Sequence, residues 1–309
     1  MTIDDVAAAL SVSKSTVSRA VTGNGRISKV TRRRVLQYME EHNYRPNLIA
    51  QNLVKGCSFN LAFLVPEREE LLNTYFFLQC LLGAEAKAAE SSNEVILVPT
   101  ELERVKRLVE RRKVDGAILS RSVENDEVME YLIESKAPFV LIGSTDRDGV
   151  TQVDGDHRAA ARMLTRMMLE RHGLKPALLN GKRTHLVNRA RAEGFLDSAP
   201  GAEVIWESES RITEALLDLY QTGARLLFAA DDAICSLMAH ECDKLSLEGV
   251  FIASFFSSGA LKLFRPDIPT IEFDSALQGS EACAILLRKI DGGVTPKTTL
   301  LDYRILINK

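Results

Sequence analysis

The 309-residue chain is predicted to be an α/β protein, with an all-α helix-turn-helix head and a two-lobed body of doubly wound parallel sheets. Three observations predict it. Residues 1–57 carry only short helical periods. From residue 59 onward, short apolar runs alternate with longer helical stretches. Charge divides at the same place: residues 1–57 hold nine Lys and Arg against four Asp and Glu, a net +5, and the remainder holds 30 against 38, a net −8. A basic head on an acidic body implies a local nucleic-acid contact rather than general polyanion binding.

The head opens on Ile3–Leu10, a mostly aliphatic segment that must pack. Ser11-Val12-Ser13 makes a tight turn, and Lys14–Val21 forms a second short helix that presents Lys14, Ser15, Ser18 and Arg19. These side chains reach phosphates and base edges, and helix, turn, helix is the arrangement that lays a second helix in a DNA major groove. A third helix is expected over Val30–His42, capped by Ser28, with Val35, Leu36 and Met39 on one face. Arg32, Arg33 and Arg34 near its start oppose the helix dipole, which points to an external anion, most simply phosphate. Pro46 then fits the first turn of a helix ending near Val54. Two turns are marginal alone in water, so this segment needs a partner to form.

Strands are expected at Phe59–Val65, Val95–Pro99, Gly116–Ser120, Phe139–Ile142, Ala177–Asn180, Leu226–Ala229, Val250–Phe255 and Thr270–Phe273, with a last one at Thr299–Ile307. Helices are expected at Tyr75–Ser91, Leu102–Arg112, Asp126–Ser135, Asp156–Arg171, Leu186–Leu196, Ile212–Gln221, Asp232–Leu245 and Ala276–Ile290. Continuous apolar strands alternating with helices mean parallel sheets covered on both faces. The length exceeds one such sheet, so two lobes with a cleft between them are expected, with ligands beyond the strand carboxyl ends.

Other chemistries find little support. The chain is 46% hydrophobic and 26% charged, ordinary for a globular protein with a real core. No run of about 18 apolar residues is present, so no spanning helix is expected, and no secretory signal is visible. Five scattered cysteines suit a reduced cytoplasm, which is the expected location. On a helix, Cys235 and Cys242 share a face that His240 does not, so no metal site is expected, and core packing accounts for them. Gly181-Lys182 lacks the spacing of a phosphate loop, and no nucleophile elbow appears. No enzyme activity and no cofactor are expected.

The head resembles the lactose-repressor (LacI/GalR) family of bacterial transcription regulators. The match runs through Thr2-Ile3-x-Asp5-Val6-Ala7, Val12-Ser13-x-x-Thr16-Val17-Ser18-Arg19, Ile27-Ser28-x-x-Thr31-Arg32-x-x-Val35 and Asn43-Tyr44-x-Pro46-Asn47-x-x-Ala50-x-x-Leu53. In the body the resemblance is patchier: Val114-Asp115-Gly116-Ala117-Ile118, Arg191-Ala192-Glu193-Gly194-Phe195 and Pro269-Thr270-Ile271. It implies a helix-turn-helix domain over 1–45, a hinge helix and linker over 46–57, and a periplasmic-binding-protein-like body over 58–309 that binds effector and dimerises. Lobe one would span 58–155 and 277–309, lobe two 156–276. Lys14, Ser15, Ser18 and Arg19 would face bases. Thr2, Ser13, Thr16, Ser28, Thr31, Arg32 and Tyr44 would hold phosphates. Asn47, Ala50 and Leu53 would enter the minor groove from paired hinge helices, Leu53 as the wedge that kinks the duplex.

The resemblance also implies an effector site near Phe76, Arg191, Asp231 and Phe256. Phe256 stands where the family usually has a sugar-gripping Asp, and Asp156-His157 stands where it favours Asp-Asn. Asp231 reads equally as a helix N-cap, Arg191 has an alternative as ion-pair partner of Glu193 or Asp197, and Phe77 reads as core. The expected function is a repressor acting as a homodimer on a pseudo-palindromic operator, controlled by a carbohydrate or sugar phosphate. With no leucine-heptad tail, a tethered tetramer is not expected. Three alternatives remain: a regulator with no small effector or with a protein partner, a solute-binding protein, and a cleft enzyme.

Overall fold

The computed structural model describes residues 1–22, 25–44, 57–66 and 74–307. It divides into two compact units, Met1–Ser58 and Phe59–Lys309. The segment expected to form the hinge helix, with Asn47, Ala50 and Leu53, lies outside the described residues.

In the first unit, α1 (Ile3–Ala9), α2 (Lys14–Thr22) and α3 (Lys29–Glu41) enclose a core of Val6, Ala7, Val17, Ala20, Val35 and Met39. Each helix starts where its capping residue dictates. The Thr2 and Asp5 side chains cap each other's backbone N–H at 3.3 and 2.7 Å. Ser13 and Ser28 accept from the N–H of Thr16 and Thr31 at 3.2 and 3.0 Å. Ser11, at φ 51°, turns the chain sharply between α1 and α2. Leu36, expected on the inner face with Val35 and Met39, is instead exposed. It lies one residue beyond Val35, about 100° further around the helix.

The second unit has two six-stranded sheets. The first has the order β11-β5-β4-β3-β1-β2, from β1 (Asn60–Val65), β2 (Glu94–Pro99), β3 (Gly116–Leu119), β4 (Phe139–Ile142), β5 (Gln152–Gly155) and β11 (Thr298–Leu301). All its pairings are parallel, with Leu61 opposite both Val95 and Gly116. Its faces are covered by α4 (Thr74–Ala89) and α12 (Ser275–Ile290) on one side, and by α5 (Leu102–Glu110) and α6 (Glu127–Glu134) on the other.

The second sheet has the order β12-β10-β9-β8-β6-β7, from β6 (Pro176–Leu179), β7 (Glu203–Ile205), β8 (Leu226–Ala229), β9 (Phe251–Ser254), β10 (Thr270–Phe273) and β12 (Tyr303–Leu306). Helices α7 (His157–His172) and α8 (Leu186–Ser198) cover one face, α9 (Ile212–Gln221) and α10 (Asp232–Lys244) the other, and α11 (Gly259–Phe264) follows β9. Phe195, Phe228 and Phe255 stack through this core, with successive ring centroids 5.4 Å apart. Each such fully buried side chain contributes about 1.5–3 kcal/mol of burial.

The chain crosses between the sheets three times, at Asp156, Asp274 and Asp302. Asp156 and Asp274 cap the helices they precede, accepting from Ala159 N–H and Leu277 N–H at 2.8 and 2.9 Å. The single strand expected over Thr299–Ile307 is therefore two. Thr298–Leu301 pairs in parallel with β5, and Tyr303–Leu306 pairs antiparallel with β10. Residues 303–306 consequently join the second sheet, in contrast to the expectation that 277–309 belongs whole to lobe one. Strands β5 and β7 and helix α11 were not anticipated. Strand β2, expected to be covered on both faces, is an edge strand with Ile96 and Leu97 exposed.

Candidate nucleic-acid interface and inter-lobe pocket

Lys14, Ser15, Ser18 and Arg19 are all exposed on α2, whose opposite face buries Val17 and Ala20. Lys14 pairs with Asp4 at 2.9 Å between two well-exposed side chains, a contact worth little that a phosphate or base can displace. The expected phosphate residues fall into a pattern. Ser13 with Thr16, and Ser28 with Thr31, form two like hydroxyl pairs, each at 2.8 Å, at the N-termini of α2 and α3. Helix N-termini favour anions. Thr2 at α1 differs, since it shares a reciprocal cap with Asp5, and the hydrogen bonds from its backbone and hydroxyl hold the Asp5 carboxyl below the usual range. Tyr44 packs against the core of the head.

The arginine cluster of α3 has acceptors inside the head. Arg32 Nε donates to the Ala20 carbonyl at 3.2 Å, and Arg34 donates to the Leu10 carbonyl. Both carbonyls belong to helix C-termini, where a cation also offsets the dipole. The dipole mismatch at α3 therefore does not by itself require an external anion. Arg32→Ala is expected to weaken operator and random DNA alike, reduce the salt slope by about one, and cost the head about 0.5–1.5 kcal/mol. Paired titrations at several salt concentrations, with thermal melts, check it. A change in the operator-to-random ratio would show base reading instead.

In the body, a cavity of about 390 Å³ lies where the carboxyl ends of the two sheets face each other. Phe76, Arg191, Asp231 and Phe256, expected together from sequence, all line it. Phe76 stands edge-on to Phe77 at 5.3 Å and to Phe256 at 6.0 Å, making an aromatic wall. Phe77 is a core residue of the first lobe, as expected, whose edge reaches the cavity. The Arg191 guanidinium lies 5.9 Å from the Phe256 ring centroid.

Arg191 is buried, and its Nε has no hydrogen-bond partner. Burial works against its charge, while Asp231, Asp154 and Asp232 support it. Its alternative role is taken by another residue: Arg158 on α7 donates to Asp197 at 2.9 Å and Glu193 at 3.1 Å. The motif glycine explains the placement. A Cβ on Gly194 would stand 2.1 Å from the Arg158 carbonyl oxygen, so only glycine lets α8 lie this close to α7, holding Arg191 toward the cleft one turn earlier. Asp231 is buried, caps α10 by accepting from Ile234 N–H at 3.0 Å, and lines the cavity, so the two readings coexist.

Sequence reasoning did not single out several other lining residues. Asp154, at the end of β5, accepts from Gly155 N–H at 2.9 Å and the Ser144 hydroxyl at 2.7 Å, with His157 Nε2 at 3.2 Å. Burial opposes its ionisation, but His157 and these hydrogen bonds hold the carboxyl below its ordinary range. The i, i+3 spacing of Asp154 and His157 was the available signal. Lys182, set aside with the phosphate-loop reading, lines the cavity beside His185. Burial, aided by Arg121 and Lys182, pushes His185 down to about 4, so it is neutral at physiological pH. Cys80, Cys235, Cys242 and Cys283 are buried in the core, whereas Cys57 is exposed; burial pushes the Cys235 thiol up to about 12 and Cys242 and Cys283 to about 11. Among the described residues, no group of three metal-ligating side chains converges, and no helix is long and apolar enough to cross a membrane.

A helix-turn-helix head followed by a two-lobed α/β body with a polar, aromatic-walled cleft defines a DNA-binding transcriptional regulator. The profile of bacterial regulatory proteins of the lacI family matches residues 2–47, and that of periplasmic binding proteins and the sugar-binding domain of the LacI family matches residues 59–210. The chain belongs to the LacI family. Its similar relatives are regulators rather than enzymes. The HTH-type transcriptional regulator MalR of Streptococcus pneumoniae is 26% identical over 284 residues, covering 89% of this chain and 84% of that protein. Two solved structures share the fold. The lac repressor dimer bound to operator and the anti-inducer ONPF matches with a TM-score of 0.84 at 21% identity, over 99% of this chain and 97% of that one. The transcriptional regulator CelR–cellobiose complex matches at 0.73 and 23% identity, over 99% and 98%.

Proposed function

We propose that this chain is a repressor that acts as a cytoplasmic homodimer on a pseudo-palindromic operator, its affinity set by a carbohydrate or sugar phosphate held in the cleft. Lys14, Ser15, Ser18 and Arg19 read bases, the capping hydroxyls of the head hold phosphates, and Asn47, Ala50 and Leu53 enter the minor groove. The observation that carries the ligand reading is the buried Arg191, with an unpartnered Nε, set among Phe76, Phe256 and Asp231 on the lining of the cleft. The complex of the transcriptional regulator CelR with cellobiose supports a carbohydrate. Exposed Leu78 and Leu82 on α4, beside exposed Ile96 and Leu97 on β2, support pairing through the body.

Cleft closure rotates one lobe against the other about the three crossings. A ligand that binds one arrangement better shifts the equilibrium by that difference alone. The test is operator affinity with and without a panel of sugars and sugar phosphates, for wild type and Arg191→Ala. The wild type is expected to respond and Arg191→Ala to lose the response by tenfold or more, on the order of 1.4 kcal/mol. An undiminished response in Arg191→Ala refutes the site, and no response in wild type favours a regulator without a small effector.

A further inference from the structure

His157, the first residue of α7, lines the cavity with a side chain only 9% exposed. Its Nε2 faces Asp154 Oδ1, and Asp154 already accepts from an amide N–H and a hydroxyl. An amide can only donate, so the carboxylate acts as acceptor and draws the ring proton onto Nε2. The other ring nitrogen, Nδ1, is buried and has no hydrogen-bond partner. The charged groups acting on the ring are Asp154 on β5, Arg191 on α8 and Asp156 at the crossing, and Phe273 on β10 covers it with centroids 4.3 Å apart. Burial disfavours the imidazolium, and Arg191 adds to this against the two carboxylates, so the balance falls below the ordinary value. A neutral ring with its proton on Nε2 leaves Nδ1 as a bare lone pair.

We propose that His157 Nδ1, oriented by Asp154, is a fixed hydrogen-bond acceptor of the cleft that takes a ligand hydroxyl and selects neutral hydroxylated ligands over acceptor-only anions at that position. The inference rests on the metabolite reading of the cleft and deepens it: at this position the ligand presents a sugar hydroxyl and not a phosphate. Arg191 Nε, likewise buried and without a partner, is a donor on the lining of the same cavity. A hydroxyl gives its proton to one group and accepts from the other, and a phosphate or carboxylate oxygen can only accept. An anion facing Nδ1 sets lone pair against lone pair unless the ring takes up a proton. Its binding would then weaken about tenfold for each pH unit above the ring's value, whereas binding of a neutral sugar stays flat.

The first measurement is the ring tautomer of His157 in the ligand-free full chain, by nitrogen NMR on isotope-labelled histidine assigned with His157→Gln. A bare Nδ1 near neutral pH is expected; an imidazolium or a protonated Nδ1 overturns the proposal. The second is calorimetry with cellobiose and a hexose phosphate as probes. Cellobiose affinity is expected to be flat between about pH 6 and 8, to fall roughly tenfold in His157→Phe, and to recover in part in His157→Asn, whose carbonyl also accepts. Preference for the hexose phosphate with proton uptake, or cellobiose binding unchanged in His157→Phe while Arg191→Ala abolishes it, overturns the proposal and leaves the metabolite reading intact. If neither probe binds wild type, the ligand hydroxyl assignment falls with the metabolite reading, and the tautomer result does not rescue it.

Discussion

Replacing Gly279 by valine is expected to destabilise the body by forcing two packed helices apart. The glycine sits on α12 where that helix meets α4, and an added Cβ would stand 1.8 Å from the Cys80 carbonyl oxygen. Gly83 on α4 makes the reciprocal contact, with a Cβ 1.9 Å from the Ala276 oxygen. Backbone meets backbone, so no rotamer change relieves the clash and the helices must separate. Cys80, Ala84, Ala88, Ala282 and Cys283 form the small-residue seam that closes this approach. Overpacking there is expected to destabilise by about 1–3 kcal/mol or more, because Phe77 of α4 and Leu286 of α12 pack in the same core beneath the sheet and move with the seam. Urea unfolding checks it: the midpoint should fall with little change in slope. A loss within about 0.5 kcal/mol, typical of an exposed surface change, would mean that the helices slide freely.

Truncating Arg19 to alanine is expected to have the largest effect on DNA recognition. Arg19 is exposed on α2, and its stem rests beside Gly25, whose Cβ would come 3.2 Å from Arg19 Cδ. A guanidinium pairs two-fold with a guanine edge, and losing such a contact costs about 1–3 kcal/mol. The measured quantity is the ratio of operator to random-DNA affinity at one salt concentration. It should collapse toward that of nonspecific binding in Arg19→Ala and recover little in Arg19→Lys, which keeps charge but not the planar fork. If both variants leave the ratio unchanged and weaken all DNA equally, Arg19 is a phosphate contact.

The head was legible because its signals are local. Capping residues, the apolar positions of each helix and the short turn all lie within a few residues of what they determine. Arg191, Asp231 and Phe256 were placed together only through the family resemblance, and their convergence follows from parallel sheets whose strand ends share one side. Strand β5 was invisible for the opposite reason. Its polar residues Gln152 and Asp154 are buried but satisfied: Gln152 bonds to Thr145 and to Thr298 from the far end of the chain, and Asp154 to Ser144 and His157 just outside the strand. A strand that alternates polar and apolar residues reads as half-exposed, and its burial shows only once these partners are in place.

The chain's own residues thus determine the class of the head, the alternation that builds the body, and the Arg-x-x-Gly-Phe segment that brings Arg191 to the cleft. Only the tertiary structure decided that the last apolar stretch splits at Asp302 between the two sheets, because two edge strands carry too little burial to mark a break. Only the fold, too, gave the arginines of α3 their carbonyl acceptors and joined His157 to Asp154. Hydrogen-bond partners and ring tautomers depend on where atoms meet in space, and periodicity along a sequence specifies which face a residue occupies but not what waits there.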